Sequence, residues 1–330
     1  MENKLLIDKY GRKLTYLRLS VTDRCNFRCY YCMPEEGVEF AKRTDLLSFA
    51  EMYLLASIFC SLGVSKIRIT GGEPFVRAGL VPFLKDLSVV NGLQEISITS
   101  NGTFSSAQIM ALKQMGVRQV NLSLDSLDRT RFHKITRRDS FDSVYSSVFT
   151  LLDLGFEVKL NCVVADGVNT QDILPFIELT KDNALSVRFL EEMPFNGSES
   201  FIVPKWNHLV MYEHIRQNYP VIQKLENERS STSVNYKIPG YKGSFGIIPS
   251  FSRTFCGTCN RIRLSATGEL RTCLYGPATL NLRDIIRSGA SVEEIEHEIL
   301  SAVSMRAKDG FEAEAISEQA THKSMSFLGG

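Results

Sequence analysis

Two groups of three cysteines are the residues of this chain whose spacing most directly suggests chemistry. The chain contains CNFRCYYC, with Cys25, Cys29 and Cys32, and CGTCNRIRLSATGELRTC, with Cys256, Cys259 and Cys273. A closed structural zinc site takes four ligands, so a group of three leaves one position open. Thiolates are also the usual ligands of iron-sulfur clusters. Each trio therefore predicts a [4Fe-4S] cube with one free iron, and a zinc site completed by a distant residue is the alternative.

Composition excludes several classes of protein. The chain has 330 residues, 44% of them apolar and 23% charged, so it can bury a core as one large barrel or as two domains. Lys and Arg total 38 against 37 for Asp and Glu, a net charge of +1, which provides no general basic field for nucleic acid or anionic lipid. We expect no nucleic-acid partner, and any anion must be bound locally.

The cysteines are expected to be thiols. The amino terminus lacks the continuous apolar stretch of a secretory signal, and the best membrane candidate, Leu54 to Val64, is far shorter than the roughly 20 residues that a spanning helix needs. We therefore predict a cytoplasmic protein with no membrane partner, where disulfides are rare. The two cysteines outside the trios, Cys60 and Cys162, are interpreted as core thiols.

Six short segments rich in aliphatic and β-branched residues predict strands. Helix-like stretches lie between them, and Ser48 with Glu51 forms a capping box before one of these helices. Strands that alternate with helices indicate a parallel α/β sheet. The predicted strands are Leu17 to Thr22, Lys66 to Thr70, Glu95 to Ser100, Gln119 to Asp125, Phe156 to Val164 and Leu185 to Glu191.

Alternation within these strands predicts one polar face. A parallel sheet usually has two apolar faces, whereas here every second residue is polar. The simplest arrangement is a partial barrel with helices outside and a polar lumen, because six strands are fewer than the eight of a closed barrel. Solvated edge strands are the alternative. The lumen would contain five cations, which implies a polyanionic ligand: Arg18, Lys66, Arg68, Lys159 and Arg188.

The pattern changes after Met193, and we expect two regions, residues 1–225 and 226–330. Residues 234–275 predict short strands with a hairpin at Ala266 to Gly268, and Ser291 with Glu294 predicts another capped helix.

The motifs resemble those of the radical S-adenosylmethionine (SAM) superfamily. CxxxCxxC follows the first strand, and Gly71-Gly72-Glu73-Pro74 follows the second. The resemblance implies that the first trio holds a [4Fe-4S] cluster whose free iron binds the amine and carboxylate of SAM, with the GGE segment supporting the amine. An acidic side chain suits an ammonium group, and glycine permits close backbone approach.

The resemblance extends over nearly the whole chain to the GTP 3′,8-cyclase family of molybdenum cofactor biosynthesis. It includes LRLSVTDRCNFRCYYCMP, KIRITGGEP, NLSLDS, RFLEEMPFNG, FCGTCNRIRLSATGELRTCL and the terminal Gly329-Gly330. It implies a partial (β/α)6 TIM-like barrel with a C-terminal extension that carries a second [4Fe-4S] cluster. The alternatives are another radical SAM enzyme with an auxiliary cluster, such as a peptide maturase, or a non-catalytic zinc-binding module.

The resemblance also assigns site residues. SAM contacts would come from Tyr31, Gly72, Glu73, Ser123, Asn161, Arg188 and Met193. GTP contacts would come from Arg18, Lys66, Arg68, Thr99, Lys159, Arg261 and Arg263, and the last two would also steady reaction intermediates as catalytic residues.

The implied reaction is a radical cyclisation. A reduced cluster donates an electron to SAM and cleaves it to methionine and a 5′-deoxyadenosyl radical, which abstracts the C3′ hydrogen of GTP. The carbon radical attacks C8 of guanine, and one further reduction gives the 3′,8-cyclo-dihydro nucleotide. The family also implies a flavodoxin or ferredoxin-like electron donor, transfer of the product to cyclic pyranopterin monophosphate synthase, a possible homodimer, and a Gly-Gly tail that enters the active site.

Overall fold

The computed structural model describes residues 4–196, 203–227, 230–316 and 324–328, and their strands form a single sheet. The six predicted strands are present within two residues of their expected ends: β1 (Tyr16–Ser20), β2 (Lys66–Thr70), β3 (Glu95–Ser100), β4 (Gln119–Ser123), β5 (Glu157–Val164) and β6 (Ser186–Glu191). The later strands are β7 (Gln223–Lys224), β8 (Val234–Lys237), β9 (Ser244–Ile248), β10 (Arg261–Leu264), β11 (Glu269–Arg271) and β12 (Leu280–Asn281).

The sheet order is β12-β11-β10-β1-β2-β3-β4-β5-β6-β9-β8-β7. β1 to β6 run parallel, as the sequence predicts. The sheet is wider than the prediction, because β10 joins β1 and β9 joins β6, both in parallel. The short strands after residue 226 therefore lie at both edges of the barrel sheet. The predicted hairpin is confirmed as the turn between β10 and β11.

The helices cover the apolar side of the sheet. Capping boxes at Ser48 and Ser291 are confirmed, and Ser105 with Gln108 forms a third. The helices are α1 (Phe49–Ser61), α2 (Leu80–Leu87), α3 (Ser106–Gln114), α4 (Arg129–Thr136), α5 (Phe141–Asp153), α6 (Ile173–Asp182), α7 (His208–Asn218), α8 (Leu282–Arg287), α9 (Val292–Ser304), α10 (Gly310–Ala315) and α11 (Met325–Leu328). Aliphatic residues of alternate strand positions, such as Leu17, Ile67 and Ile98, are fully buried in the core beneath them.

The register of the parallel strands aligns the polar positions. Arg18 lies directly between Arg68 on β2 and Arg263 on β10, and Asn161 pairs with Ser123 and Arg188. Because side chains of paired residues point to the same face, the predicted polar face becomes one continuous surface.

One stretch, Arg43–Ser61, is long and apolar enough to pass a composition test for a membrane span. This is weak evidence, because the core helices of many folded proteins pass the same test. Met52, Leu55 and Phe59 of this stretch are completely buried against the sheet.

Candidate active site

The polar face of the sheet opens into a cavity that all six cysteines of the two trios line. Its empty space is about 1940 Å³, a volume that includes open solvent at the mouth. The first trio reaches it from the loop after β1, and the second from the segment that enters β10 and the loop after β11. The two trios therefore share one interior.

The loop of the first trio rests on the two glycines after β2. The Gly72 amide donates to the Thr22 carbonyl at 2.7 Å, and the Glu73 amide donates to the Arg24 carbonyl at 2.8 Å. A Cβ on Gly72 would lie 2.3 Å from the Arg24 carbonyl oxygen, which no side chain tolerates. The glycine pair is thus required for backbone packing between this segment and the cysteine loop.

The Glu73 side chain is buried inside the protein and does not line the cavity. One carboxylate oxygen accepts from the Phe75 amide at 3.1 Å and the Ser100 hydroxyl at 2.9 Å, and the other accepts from the Asn101 amide at 2.6 Å. Burial raises the pKa of Glu73 to about 7, although these hydrogen bonds oppose the shift. Glu73 therefore joins the loops that follow β2 and β3.

Burial disfavours thiolates in the first trio. It raises the pKa of Cys25 to about 12 and that of Cys32 to about 11, and it raises the pKa of Cys29 well above its ordinary value. The Asp125 carboxylate, which accepts from the Tyr31 hydroxyl at 2.7 Å, raises the pKa of Cys29 and Cys32 further because negative charge disfavours a nearby thiolate. Thiols in such surroundings ionise when a cationic metal group compensates them, so the donor set fits an iron-sulfur cluster.

Arginines surround the second trio. Arg306 donates to the Cys259 sulfur at 3.1 Å, and Arg261 approaches the same sulfur at 3.7 Å. Burial alone would raise the pKa of Cys259, but the two guanidinium groups outweigh it and lower that pKa to about 7. Cys259 can therefore act as a thiolate ligand near neutral pH.

Among the residues that the structure describes, no three Cys, His, Asp or Glu side chains converge as one metal ion would require. A four-iron cube has no such requirement, because each thiolate binds a different iron atom.

Six arginines form the cationic part of the cavity wall. The Nε atoms of Arg18 and Arg188 are buried without a hydrogen-bond partner, and so are the Oδ1 atoms of Asn121 and Asn161. Burial, reinforced by neighbouring arginines, lowers the pKa of Arg18 and brings that of Arg188 to about 10. Unsatisfied buried groups are costly, so this wall fits a polar, anionic ligand. The six arginines are Arg18, Arg68, Arg188, Arg261, Arg263 and Arg306.

Most of the residues assigned by resemblance line this one cavity. Of the residues assigned to SAM, the cavity is lined by Tyr31, Gly72, Ser123, Asn161, Arg188 and Met193. Of those assigned to GTP, it is lined by Arg18, Arg68, Thr99, Arg261 and Arg263. Three assigned residues lie off its wall: Glu73, Lys66 and Lys159. Lys66 pairs with Glu95 at 2.6 Å, and Lys159 lies 3.9 Å from Glu157.

Sequence reasoning missed Arg306, which lines the cavity, and Tyr16, which lies behind the wall beside two cations. The Tyr16 ring lies 5.3 Å from the Lys66 ammonium and 5.4 Å from the Arg68 guanidinium, an arrangement typical of cation–π contacts. Tyr16 is two residues before Arg18, so the strand alternation could have placed it on the polar face. Arg306 had no such signal, because it follows a helix far from either trio in the sequence.

The carboxy-terminal segment also reaches the site. The Ser324 hydroxyl donates to the Cys32 carbonyl at 2.7 Å, and Met325 and Ser326 line the cavity. The predicted role of Gly329-Gly330 falls outside the described residues.

Family comparisons agree with this geometry. The Radical SAM superfamily model matches residues 19–180, and the Molybdenum Cofactor Synthesis C model matches residues 185–311. The mitochondrial GTP 3′,8-cyclase of Arabidopsis thaliana is 42% identical over 92% of this chain and 78% of its own length. The chain belongs to the GTP 3′,8-cyclase family. Another member, from Peptoclostridium acidaminophilum, is 40% identical over 89% of this chain and 91% of that protein.

Longer members of the GTP 3′,8-cyclase family also match. The molybdenum cofactor biosynthesis protein 1 of Mus musculus is 43% identical over 92% of this chain, which spans about half (48%) of that relative's length. Among solved structures, Streptococcus suis SuiB superposes with a TM-score of 0.62 at 14% identity, covering 96% of this chain and 77% of SuiB. That likeness concerns the fold alone.

Membership confirms the predicted radical SAM fold with a C-terminal extension. As in the superfamily, the cofactors are SAM and a [4Fe-4S] cluster, which the first trio would hold.

Proposed function

We propose that this chain is an enzyme that converts GTP to (8S)-3′,8-cyclo-7,8-dihydroguanosine 5′-triphosphate, the first step of molybdenum cofactor biosynthesis. One observation carries the proposal: a single cavity is lined by both cysteine trios and by six arginines. Relatives at 40% and 42% identity that are named GTP 3′,8-cyclase support it.

The cofactors supply the difficult chemistry. When bound, a reduced [4Fe-4S] cluster and SAM provide the radical that removes the C3′ hydrogen of GTP. Cys25, Cys29 and Cys32 would hold this cluster. We further propose that Cys256, Cys259 and Cys273 hold a second [4Fe-4S] cluster, which anchors the guanine edge.

The chain's own residues bind and orient the nucleotide. The guanidinium groups of buried Arg263 and of half-buried Arg18 and Arg261 would take the triphosphate and any charge that develops on intermediates, because an anion compensates their desolvation. Fixing both reactants in one cavity makes an otherwise bimolecular step effectively unimolecular.

The remaining assignments belong to the same proposal. Lys66 and Lys159, which lie off the cavity wall, would bind the outer phosphates once their glutamate contacts are exchanged for the ligand. The other SAM and GTP contacts remain predictions, and so does the division of the chain between residues 225 and 226. Four further predictions concern the protein in the cell: a flavodoxin or ferredoxin-like donor, transfer of the product to cyclic pyranopterin monophosphate synthase, a homodimer and a cytoplasmic location.

Anaerobic incubation with GTP, SAM and a reductant tests the function. We expect 5′-deoxyadenosine and a cyclised nucleotide in equal amounts, from protein that binds about eight irons per chain. SAM cleavage without any change in GTP would favour another radical SAM reaction. Stoichiometric zinc without iron would favour the non-catalytic module.

A further inference from the structure

Two arginines, buried Arg306 and half-buried Arg12, hold the backbone of the second trio. Arg306 donates from Nη1 to the Cys259 carbonyl at 2.7 Å and from Nε to the Thr272 carbonyl at 2.9 Å, in addition to its bond from Nη2 to the Cys259 sulfur. Thr272 directly precedes Cys273. One guanidinium group therefore touches the chain at two of the three cysteine positions.

Arg12 holds the third position. Its Nη1 donates to the Cys256 carbonyl at 3.1 Å and to the Lys308 carbonyl at 2.6 Å, and its Nη2 donates to the Ala307 carbonyl at 2.7 Å. The same side chain thus connects the second trio to the segment that carries Arg306.

Asp8 joins the two arginines. Its Oδ2 accepts from Arg12 Nε at 2.6 Å and lies 3.4 Å from Arg306 Nη1. Asp8 is 4% exposed and Arg306 is also 4% exposed, so solvent contributes little screening to this network. The Asp8 carboxylate fixes the orientation of both guanidinium groups. Because two guanidinium groups face one carboxylate, one positive charge remains uncompensated beside the second trio.

The first trio has a different environment. The Cys25 sulfur accepts from the Phe27 amide at 3.4 Å, and Asn101 approaches it at 4.0 Å. Arg28 donates only to carbonyls there, at Cys25 and Phe27. Among the described residues, the second of the two trios therefore has an arginine bonded directly to a cysteine sulfur, and the first has none.

We propose that Asp8, Arg12 and Arg306 form a clamp that positions the second trio, and that Arg306 also raises the reduction potential of the cluster held there. The inference rests on the proposed second cluster. Reduction adds negative charge to a cluster, and an N–H donor from a cation to a ligating sulfur stabilises that charge. Arg12 contacts Asp8 and backbone carbonyls but no cysteine sulfur, so it would position the ligands without comparable influence on the potential.

The test uses a full-length parent in which Cys25, Cys29 and Cys32 are all replaced by Ala, so that every iron signal comes from the second trio. Iron content, the rate of iron loss to a chelator and the midpoint potential from EPR-monitored titration are measured for the parent and for Arg306→Gln and Arg12→Gln. Arg287→Gln is the matched control, because Arg287 likewise pairs with a carboxylate, that of Glu51, and donates to two carbonyls.

For Arg306→Gln we expect faster iron loss and a midpoint potential lowered by about 59 mV, a tenfold change in a one-electron reduction equilibrium. Arg12→Gln should lose iron faster at nearly the parent potential, and Arg287→Gln should match the parent. Failure of folded Arg306→Gln to retain iron would also support the clamp.

If Arg306→Gln kept the midpoint potential and the iron retention of the parent, the inference would be overturned, although the second cluster would stand. A parent that binds no iron would instead overturn the second cluster, and the clamp with it. GTP cyclisation by the wild-type chain tests the proposed function independently of either result.

Discussion

The two cysteine trios line one cavity but lie in opposite electrostatic surroundings. The first lies beside Asp125 and the buried carboxylate of Glu73, and all three of its thiols have raised pKa values. In the second, Cys256 and Cys273 also have raised pKa values because of burial, whereas arginines lower that of Cys259.

This difference shows that burial shifts every cysteine pKa in the same direction, and that neighbouring charges decide the final pKa of each thiol. Burial opposes the thiolate in both trios. Guanidinium groups beside the second trio belong to the wall that suits a polyanion, which supports the proposal that this trio lies on the nucleotide side of the cavity. The first trio lies beside the carboxylate of Asp125 on the cavity wall, which suits a cationic group such as the ammonium of SAM.

The most severe test of this division is Cys25→Ala. We expect complete loss of SAM cleavage, because two thiolates cannot hold the cube with a single free iron in place. Production of 5′-deoxyadenosine under reducing anaerobic conditions measures it. Wild-type cleavage rates in this variant would contradict the role of the first trio.

Cys273→Ala should separate the two reactions. We expect 5′-deoxyadenosine to remain measurable and the cyclised nucleotide to disappear, since only the nucleotide side is altered. Chromatography of both products in one incubation checks this. Parallel loss of both products would argue against separate roles for the trios.

Two glycines allow a matched comparison of the loops. In Gly72→Ala the new methyl group would collide with the Arg24 backbone, whereas a Cβ on Gly257, inside the second trio, meets nothing within 4 Å. Overpacking of this kind costs about 1–3 kcal/mol. We expect Gly72→Ala to lose iron and to bind SAM about tenfold more weakly, measured by iron assay and calorimetry, while Gly257→Ala matches wild type.

Arg68→Ala probes the cationic wall. Arg68 is held by Ser97 at 3.2 Å and Gln119 at 3.1 Å, so its guanidinium is preorganised. Loss of charged hydrogen bonds worth about 1.5–3 kcal/mol predicts a GTP Kd raised roughly 10- to 100-fold, with the SAM Kd nearly unchanged. Calorimetric titration checks both, with exposed Arg129→Ala as control. A larger effect on SAM than on GTP would reverse the assignment.

The smallest expected effect is a pH dependence from Lys159. Burial, reinforced by Arg188, lowers the pKa of Lys159 to about 8. Its ammonium is therefore present below pH 8 and is lost as the pH rises through that value, so GTP affinity should fall about three- to tenfold between pH 7 and 9.5. Binding measured across that range checks this, and Lys159→Arg should flatten the profile. A flat wild-type profile would remove Lys159 from the nucleotide site.

Local patterns predicted much of this molecule. The caps at Ser48 and Ser291, the six strands and the polar alternation that contains Arg18 and Arg188 follow from rules that act within a few residues. The pairing of β10 with β1 and of β9 with β6, on opposite sides of the six predicted strands, could not be predicted in this way, because strand partners distant in the chain are chosen by packing.

The amino-acid sequence by itself determined the two open thiol trios, the alternating strands and the family they resemble, because each is written in residue types at short, fixed spacing. Only the tertiary structure decided that the trios share a cavity, that Glu73 is enclosed by amide donors, and that Asp8 and Arg306, 298 positions apart, meet beside Cys259. The reason is physical: burial and charge at a site depend on everything that packs around it, and most of those neighbours come from distant parts of the chain.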